Sequence, residues 1–285
     1  MNSEQLGALV AAALQRSGGA PPHVAVRRAD PASGADLLCG ALRSVPVGRA
    51  ESAAAVVAEH PDVERAEVVD GTLVVRLRDE ARARLLLTFD AIPRGADLRP
   101  PDRLLRLGPG SDTVTAAEGR RLLGSDAVTY ELARAHRPGA TGPLRVDVPR
   151  AVRRTADSPL FAVQHAHARA TMLRSRAARL DVGPMRDDGP AWERRGPVGA
   201  LVASLLELPA TLTRAERRQE IRVVPRHLEE IAGLFADLDP ERSFLPSGDD
   251  EVTTTHRVGV LLAAATRDRL ARGLRSLGVE APPRI

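Results

Sequence analysis

The chain has 285 residues with a formal net charge of +4, and its hydrophobic fraction of 43 % is large enough for real cores. At roughly 100–200 residues per domain, this length predicts two domains. The sequence contains no lysine, so all 41 basic residues are arginines, which stay charged at every working pH. Aromatic residues make up 2 %, which disfavours folds that read RNA by stacking bases on an aromatic sheet. Two interpretations of the arginines stay open, namely solvated faces in a composition-biased chain and contacts to nucleic acid.

The sequence contains a single cysteine, Cys39, which excludes an internal disulfide and a multi-thiolate metal site. We expect this residue to be a small buried side chain. Glu4 lies where a signal peptide would carry positive charge, and no apolar run approaches the ~20 residues of a membrane span. We therefore expect a soluble, cytoplasmic protein with no membrane partner.

The first 80 residues alternate between helical and extended patterns. Hydrophobic spacing predicts a helix over 1–16, a strand over 23–27, Ala-rich helices over 36–44 and 49–60, and a hairpin over 63–77. The hairpin turns at Asp70-Gly71, a pair suited to positive φ. Residues 1–80 are therefore predicted to form a small α+β domain.

Proline and glycine breakers mark residues 81–112 as a bridge, after which the chain is helical almost throughout. Thr115 and Glu118 have the spacing of a capping box, and Ser158-Pro159 is typical of the start of a long helix. A polar linker over 183–196 precedes further predicted helices over 197–207, 211–220, 225–238 and 251–277. The predicted fold is an α+β N-terminal domain followed, over 113–285, by an all-α helical bundle.

Two motif groups in the helical region are specific. The first comprises Val114-Thr115, the segment LGSDAV at 123–128 with Tyr130, and the segment DSPLFAVQHAHAR at 157–169. The second comprises the segment HRV at 256–258, the segment ATR at 265–267, LRSLGV at 274–279 and APPRI at 281–285. These segments resemble the join between the catalytic and anticodon-binding domains of arginyl-tRNA synthetases, and the closing run of that family. The resemblance implies a bundle of the anticodon-binding type.

The N-terminal domain resembles the additional domain of the same family more weakly. The segment DPASG at 30–34 is similar to the family's D-P-x-H-G, and a hairpin follows in both. In relatives this domain contacts the tRNA elbow at the D-loop. At the position that the resemblance assigns to an RNA-contacting asparagine, this chain has Cys39, which argues against the same D-loop contact.

The class I catalytic motifs are missing from the sequence. Enzymes of this class bind ATP through H-x-G-H and K-M-S-K-S motifs, whose His and Lys stabilise charge on the transferring phosphates. The sequence has no H-x-G-H, and without lysine the second motif cannot occur. The bridge over 81–112 has room for at most one βαβ unit of ~30 residues, so a nucleotide-binding domain does not fit there. We therefore expect no catalytic residues, no metal, no cofactor and no aminoacylation by the chain itself.

Four residues are the candidates for tRNA binding. His165, Arg169 and Arg176 share one face of the long helix by their spacing, and Arg284 lies in the closing motif. The resemblance implies tRNA as the partner, with arginine tRNA as the candidate species, although the sequence itself does not give the species. The alternative function is a protein-interaction or regulatory module that associates with a full-length aminoacyl-tRNA synthetase or another translation factor. An alternative role for Gln164, His167 and Arg169 is to hydrogen-bond the loop before Ser158.

Overall fold

A computed structural model describes residues 3–16, 24, 26–29, 33, 35–88, 97–108, 112–184 and 196–285 of the chain. Two compact units are present, one containing residues 1–88 with 185–203 and the other residues 89–184 with 204–285. Most of the DPASG segment and of the polar linker over 183–196 lies outside the described residues.

The first unit is a small sheet covered by helices. Its elements are α1 Ser3–Arg16, β1 Val26–Arg28, β2 Leu37–Cys39, α2 Val47–Ala58, β3 Val63–Val69, β4 Thr72–Leu77 and α3 Asp79–Leu87. The strands are antiparallel in the order β1-β2-β4-β3. The predicted hairpin is confirmed as β3 and β4, and its turn residues Asp70 and Gly71 both have positive φ, 49° and 68°. The core lies between this sheet and helices α1 and α2.

The helix predicted over 36–44 is wrong, because its first half is strand β2 and its second half is a 3-10 turn over Gly40–Ser44. Pairing with β1 and β4 satisfies the backbone of β2, and Leu37 and Cys39 point into the core on alternate positions. Asp36 precedes the strand with a buried carboxylate. Its Oδ2 accepts the N–H of Leu77 at 2.8 Å, and its Oδ1 lies 3.0 Å from Nε of Arg82. Asp36 is thus a structural residue that closes the sheet onto α3.

The second unit is helical with a minimal sheet at its start. Its elements are β5 Leu105–Arg106, β6 Thr113–Val114, α4 Ala116–Leu123, α5 Ser125–Arg134, β7 Leu144–Arg145, α6 Val148–Val152, α7 Pro159–Arg179, α8 Gly196–Arg218, α9 Val223–Asp237, α10 Pro240–Ser243 and α11 Thr254–Ser276. The first residues of α8 belong to the other unit. The predicted capping box is confirmed, since Thr115 and Glu118 bond each other reciprocally at the start of α4. The predicted fold class, an α+β region followed by a helical bundle, is confirmed.

Helix α8 runs unbroken through Pro209, where two separate helices were predicted. A proline has no N–H, so the carbonyl of Leu205, four residues earlier, loses its helical donor. The buried side chain of Arg269 on α11 replaces that donor, with Nε 3.2 Å from the Leu205 oxygen. Burial lowers the pKa of Arg269 to about 10, so the guanidinium remains charged at neutral pH. A donor 64 residues away in sequence therefore keeps the helix continuous.

Length and composition alone would also allow α8 to cross a membrane, with a mean hydropathy of 1.3 in its most apolar window. Half of that window is buried inside the protein. Leu205, Leu208 and Leu212 are at most 1 % exposed, and Ser204 bonds His227 of α9. These contacts are those of a core helix, so the hydropathy of α8 reflects its place in the bundle.

Candidate nucleic-acid interface

Helix α7 carries most of the candidate site. It begins after Ser158, which is 1 % exposed, with Pro159 in its first turn, and it packs against α9 and α11. Its inward face is formed by small and apolar side chains together with one imidazole: Leu160, Val163, Ala166, His167, Ala170, Leu173 and Ala177. Because these residues recur every three or four positions, they form one face of α7, and this face packs against the rest of the bundle. The opposite side of the helix, which carries the candidate arginines, faces solvent.

The four candidate residues differ in exposure. His165 is exposed and stacks on Phe161, one turn earlier, with ring centroids 5.5 Å apart and planes inclined by 11°. Arg176 and Arg284 are exposed, whereas Arg169 is half-buried and has interaction partners within the protein. The helix thus presents His165 and Arg176 on its outer side, while Arg169 is partly occupied by the fold.

A cluster of hydrogen bonds, which we name the tail latch, joins Asp126, Gln164, His167, Glu280 and Pro282. Nε2 of Gln164 donates to the Glu280 carbonyl at 3.0 Å and to Oδ2 of Asp126 at 3.3 Å. The Glu280 N–H donates to the same Oδ2 at 3.2 Å, and Nδ1 of His167 donates to the Pro282 carbonyl at 2.9 Å. The latch therefore holds the C-terminal tail, including the segment just before Arg284, against α5 and α7.

Burial sets the electrostatics of the latch. It raises the pKa of Asp126, an effect that the Glu280 N–H opposes only in part. It lowers the pKa of His167, against the opposing effect of the hydrogen bond to Pro282. At neutral pH the imidazole of His167 is therefore neutral, and its Nδ1 carries the proton because it faces the Pro282 carbonyl.

The expectation that Gln164 and His167 bond the loop before Ser158 is wrong, because their partners are Asp126 and the tail. Asp126 was not singled out from the sequence, although it lies in the LGSDAV segment that carries the resemblance. Three of the segments that carry the resemblance, LGSDAV, DSPLFAVQHAHAR and APPRI, thus meet in one place. Their residue types are those needed to hold a helix bundle and its tail together.

Cys39 occupies a core position in the first unit. It is 0 % exposed, and burial raises the pKa of its thiol. A side chain in this position cannot contact a ligand at the surface. The prediction of a small buried cysteine is confirmed.

Comparisons with known proteins identify what this chain is similar to. Residues 163–285 match the family model of the DALR anticodon binding domain. The arginine–tRNA ligase of Kineococcus radiotolerans is 35 % identical over 184 residues, which are 64 % of this chain and 32 % of that protein. The arginine–tRNA ligase of Clavibacter sepedonicus is 34 % identical over 163 residues, which are 57 % of this chain and 29 % of that protein. The chain therefore spans about a third of the length of these relatives.

The fold is also similar to a solved arginyl-tRNA synthetase structure from Campylobacter jejuni, with a TM-score of 0.50 and 18 % identity. That similarity covers 62 % of this chain and 37 % of the other. The relatives extend well beyond the matched region, whereas the 285 residues here lack both class I ATP-binding motifs. The chain is therefore similar to arginyl-tRNA synthetases, residues 163–285 match the DALR anticodon binding domain, and the sequence contains neither of the class I ATP-binding motifs.

Proposed function

We propose that this chain binds tRNA, specifically arginine tRNA, and does not aminoacylate it alone. The observation that carries the proposal is the match of residues 163–285 to the DALR anticodon binding domain, whose described part here is a helical bundle with a latched tail. With few aromatic side chains available for base stacking, most of the affinity comes from arginine contacts to phosphate. His165 and Arg176 on the outer side of α7, with Arg284 in the tail, are the proposed contacts.

The binding assay is fluorescence anisotropy with an arginine tRNA transcript at several salt concentrations. Phosphate-driven binding gives a log–log salt slope of about −0.7 to −0.9 for each contact. Arg176→Ala removes an exposed side chain, so it should cost at most ~0.5 kcal/mol of stability while lowering the slope by about one contact. Arg174→Ala is the matched control, because Arg174 is exposed on the same helix and points away from that face.

Three outcomes separate the interpretations. If Arg176→Ala behaves like Arg174→Ala, the outer face of α7 does not bind RNA. If Arg169→Ala lowers the melting temperature but does not weaken tRNA binding selectively, Arg169 has a structural role, in keeping with its partial burial. Absence of tRNA binding at low salt contradicts the proposed function and favours the alternative, a module that associates with a full-length aminoacyl-tRNA synthetase.

The second half of the proposal concerns catalysis. No residue of the chain supplies the lysine or the H-x-G-H histidines that stabilise the transferring phosphates in class I enzymes. We expect no arginine-dependent ATP–pyrophosphate exchange and no charging of tRNA by the purified protein. Turnover clearly above a no-enzyme control, and absent from a heat-denatured sample, would refute this part.

A further inference from the structure

The second unit contains a cleft lined mainly by arginines. Its volume is about 350 Å³, and its walls are Arg103, Arg134, Ala135, Arg137, Ala140, Pro143, Leu144, Arg222 and Arg226. The five arginines come from the segment before β5, the end of α5 and the start of α9. No carboxylate belongs to this lining. Such a concentration of one charge sign in a concave surface focuses a positive potential.

Two of the arginines are held in place by the protein. Nε of Arg134 lies 2.8 Å from Oε1 of Glu229, and its Nη1 lies 3.5 Å from Oε1 of Glu131. Arg103 donates to the carbonyl of Gly142, with Nε at 3.1 Å. Both guanidinium groups are therefore preorganised, which reduces the entropy lost when a ligand binds.

The other three arginines differ in this respect. Within the part of the chain that the structure describes, Arg137, Arg222 and Arg226 form no ion pair with any carboxylate. Arg222 is the N-cap of α9 and Arg226 ends its first turn, which contains no acidic residue. Because the helix dipole disfavours cations at this end, the two arginines occupy an unfavourable position that a bound anion would relieve. The positive potential also affects His136, whose pKa is lowered by burial and by the charge of Arg103.

We propose that this cleft is a phosphate-binding site that takes phosphates of the RNA backbone. The source of the phosphate rests on the proposed tRNA binding, whereas the site itself rests on the cleft. Arginine suits it because the planar guanidinium pairs with phosphate through two parallel hydrogen bonds. The cleft is about the size of one nucleotide and offers five guanidinium groups, of which one, that of Arg134, is partly neutralised by Glu131 and Glu229.

The test compares two double variants that each lose two positive charges. R222A/R226A removes the two arginines that the start of α9 contributes to the cleft. R121A/R257A removes two exposed arginines elsewhere in the same unit. We expect R222A/R226A to bind tRNA about tenfold more weakly than R121A/R257A at 100 mM salt. Its salt slope should be smaller by about 1.4–1.8, the value for two phosphate contacts. Equal melting temperatures of the two variants confirm that folding is not the cause.

A second ligand separates the cleft from the proposed function. Inorganic tripolyphosphate is added while the pH titration of His136 is followed by NMR, with a His136→Asn variant to assign the signal. An anion in the cleft should raise the pKa of His136 in the wild type and in R121A/R257A but not in R222A/R226A.

Each outcome of the two assays has a defined meaning. If R222A/R226A and R121A/R257A lose equal tRNA affinity while the wild type binds, the RNA role of the cleft is overturned and the proposed function stands. Tripolyphosphate binding without any tRNA binding overturns the proposed function and leaves a site for free phosphates. A His136 pKa that tripolyphosphate leaves unchanged overturns the phosphate site.

Discussion

The tail latch leads to a prediction about local opening of the C-terminal tail. Gln164→Leu keeps most of the side-chain volume and removes both amide donors, to the Glu280 carbonyl and to Asp126. An amide–carbonyl bond contributes about 1 kcal/mol, and a bond to a carboxylate about 1.5 kcal/mol or more when buried. Because Gln164 is partly exposed, we take about 1.4 kcal/mol for both bonds together.

That free energy corresponds to a tenfold increase in the open fraction of the tail. The Glu280 N–H, which donates to Asp126 at 3.2 Å, reports on opening by native-state hydrogen exchange. Its exchange should become about tenfold faster in Gln164→Leu, while the amide of Leu270, in the middle of α11, should change much less. Gln219→Leu is the control, since that amide donates locally to the Glu216 carbonyl at 2.9 Å. Unchanged exchange at Glu280, or equal acceleration at Leu270, would refute the latch.

Two further predictions concern stability. Burial lowers the pKa of His167 in the folded protein, so as the pH falls the imidazole is protonated in the unfolded chain before it is protonated in the folded one. The contribution of neutral His167 to the free energy of unfolding is therefore fully present above pH about 6.5 and is lost as the pH falls from there through the lowered pKa. Urea unfolding at pH 7.5 and 5.5 should show a smaller difference for His167→Gln than for the wild type, and an identical difference would contradict the assignment. Arg269→Met leaves the Leu205 carbonyl without its donor, and Pro209→Ala supplies a backbone N–H to the same oxygen. The cost of Arg269→Met should therefore fall by about 1–2 kcal/mol in the Pro209→Ala background, and strict additivity in this double-mutant cycle would exclude the proposed rescue.

Local signals predicted the elements whose causes lie within a few residues. The Asp70-Gly71 hairpin depends on two residues that adopt positive φ, and the start of α4 depends on the reciprocal bonds of Thr115 and Glu118. In both cases the chain segment contains all the groups that decide its conformation. The pattern therefore predicted the structure without reference to the rest of the protein.

The errors have distant causes. The strand at Leu37–Cys39 exists because its backbone pairs with β4, more than 30 residues later. Helix α8 passes Pro209 because Arg269 supplies a donor from another helix. The partners of Gln164 were assigned to the nearby loop, whereas they lie 38 residues before it and 116 after it. The residue spacing within one segment carries no information about partners this far away in the sequence.

In the candidate site, too, contacts between residues far apart in the sequence decide which side chains are available to bind a ligand. The segments that identify the anticodon-binding domain converge on the tail latch, where Gln164 and His167 bond other parts of the protein. Side chains used in this way are not available to RNA, so the specificity of a motif for a family does not make its residues ligand contacts. Contacts to phosphate have to come from arginines that the fold leaves without carboxylate partners. Within the described residues, such arginines include Arg176, which is exposed on α7, and Arg137, Arg222 and Arg226 in the cleft. The fold brings Arg137 together with Arg222 and Arg226 although they lie far apart in the sequence.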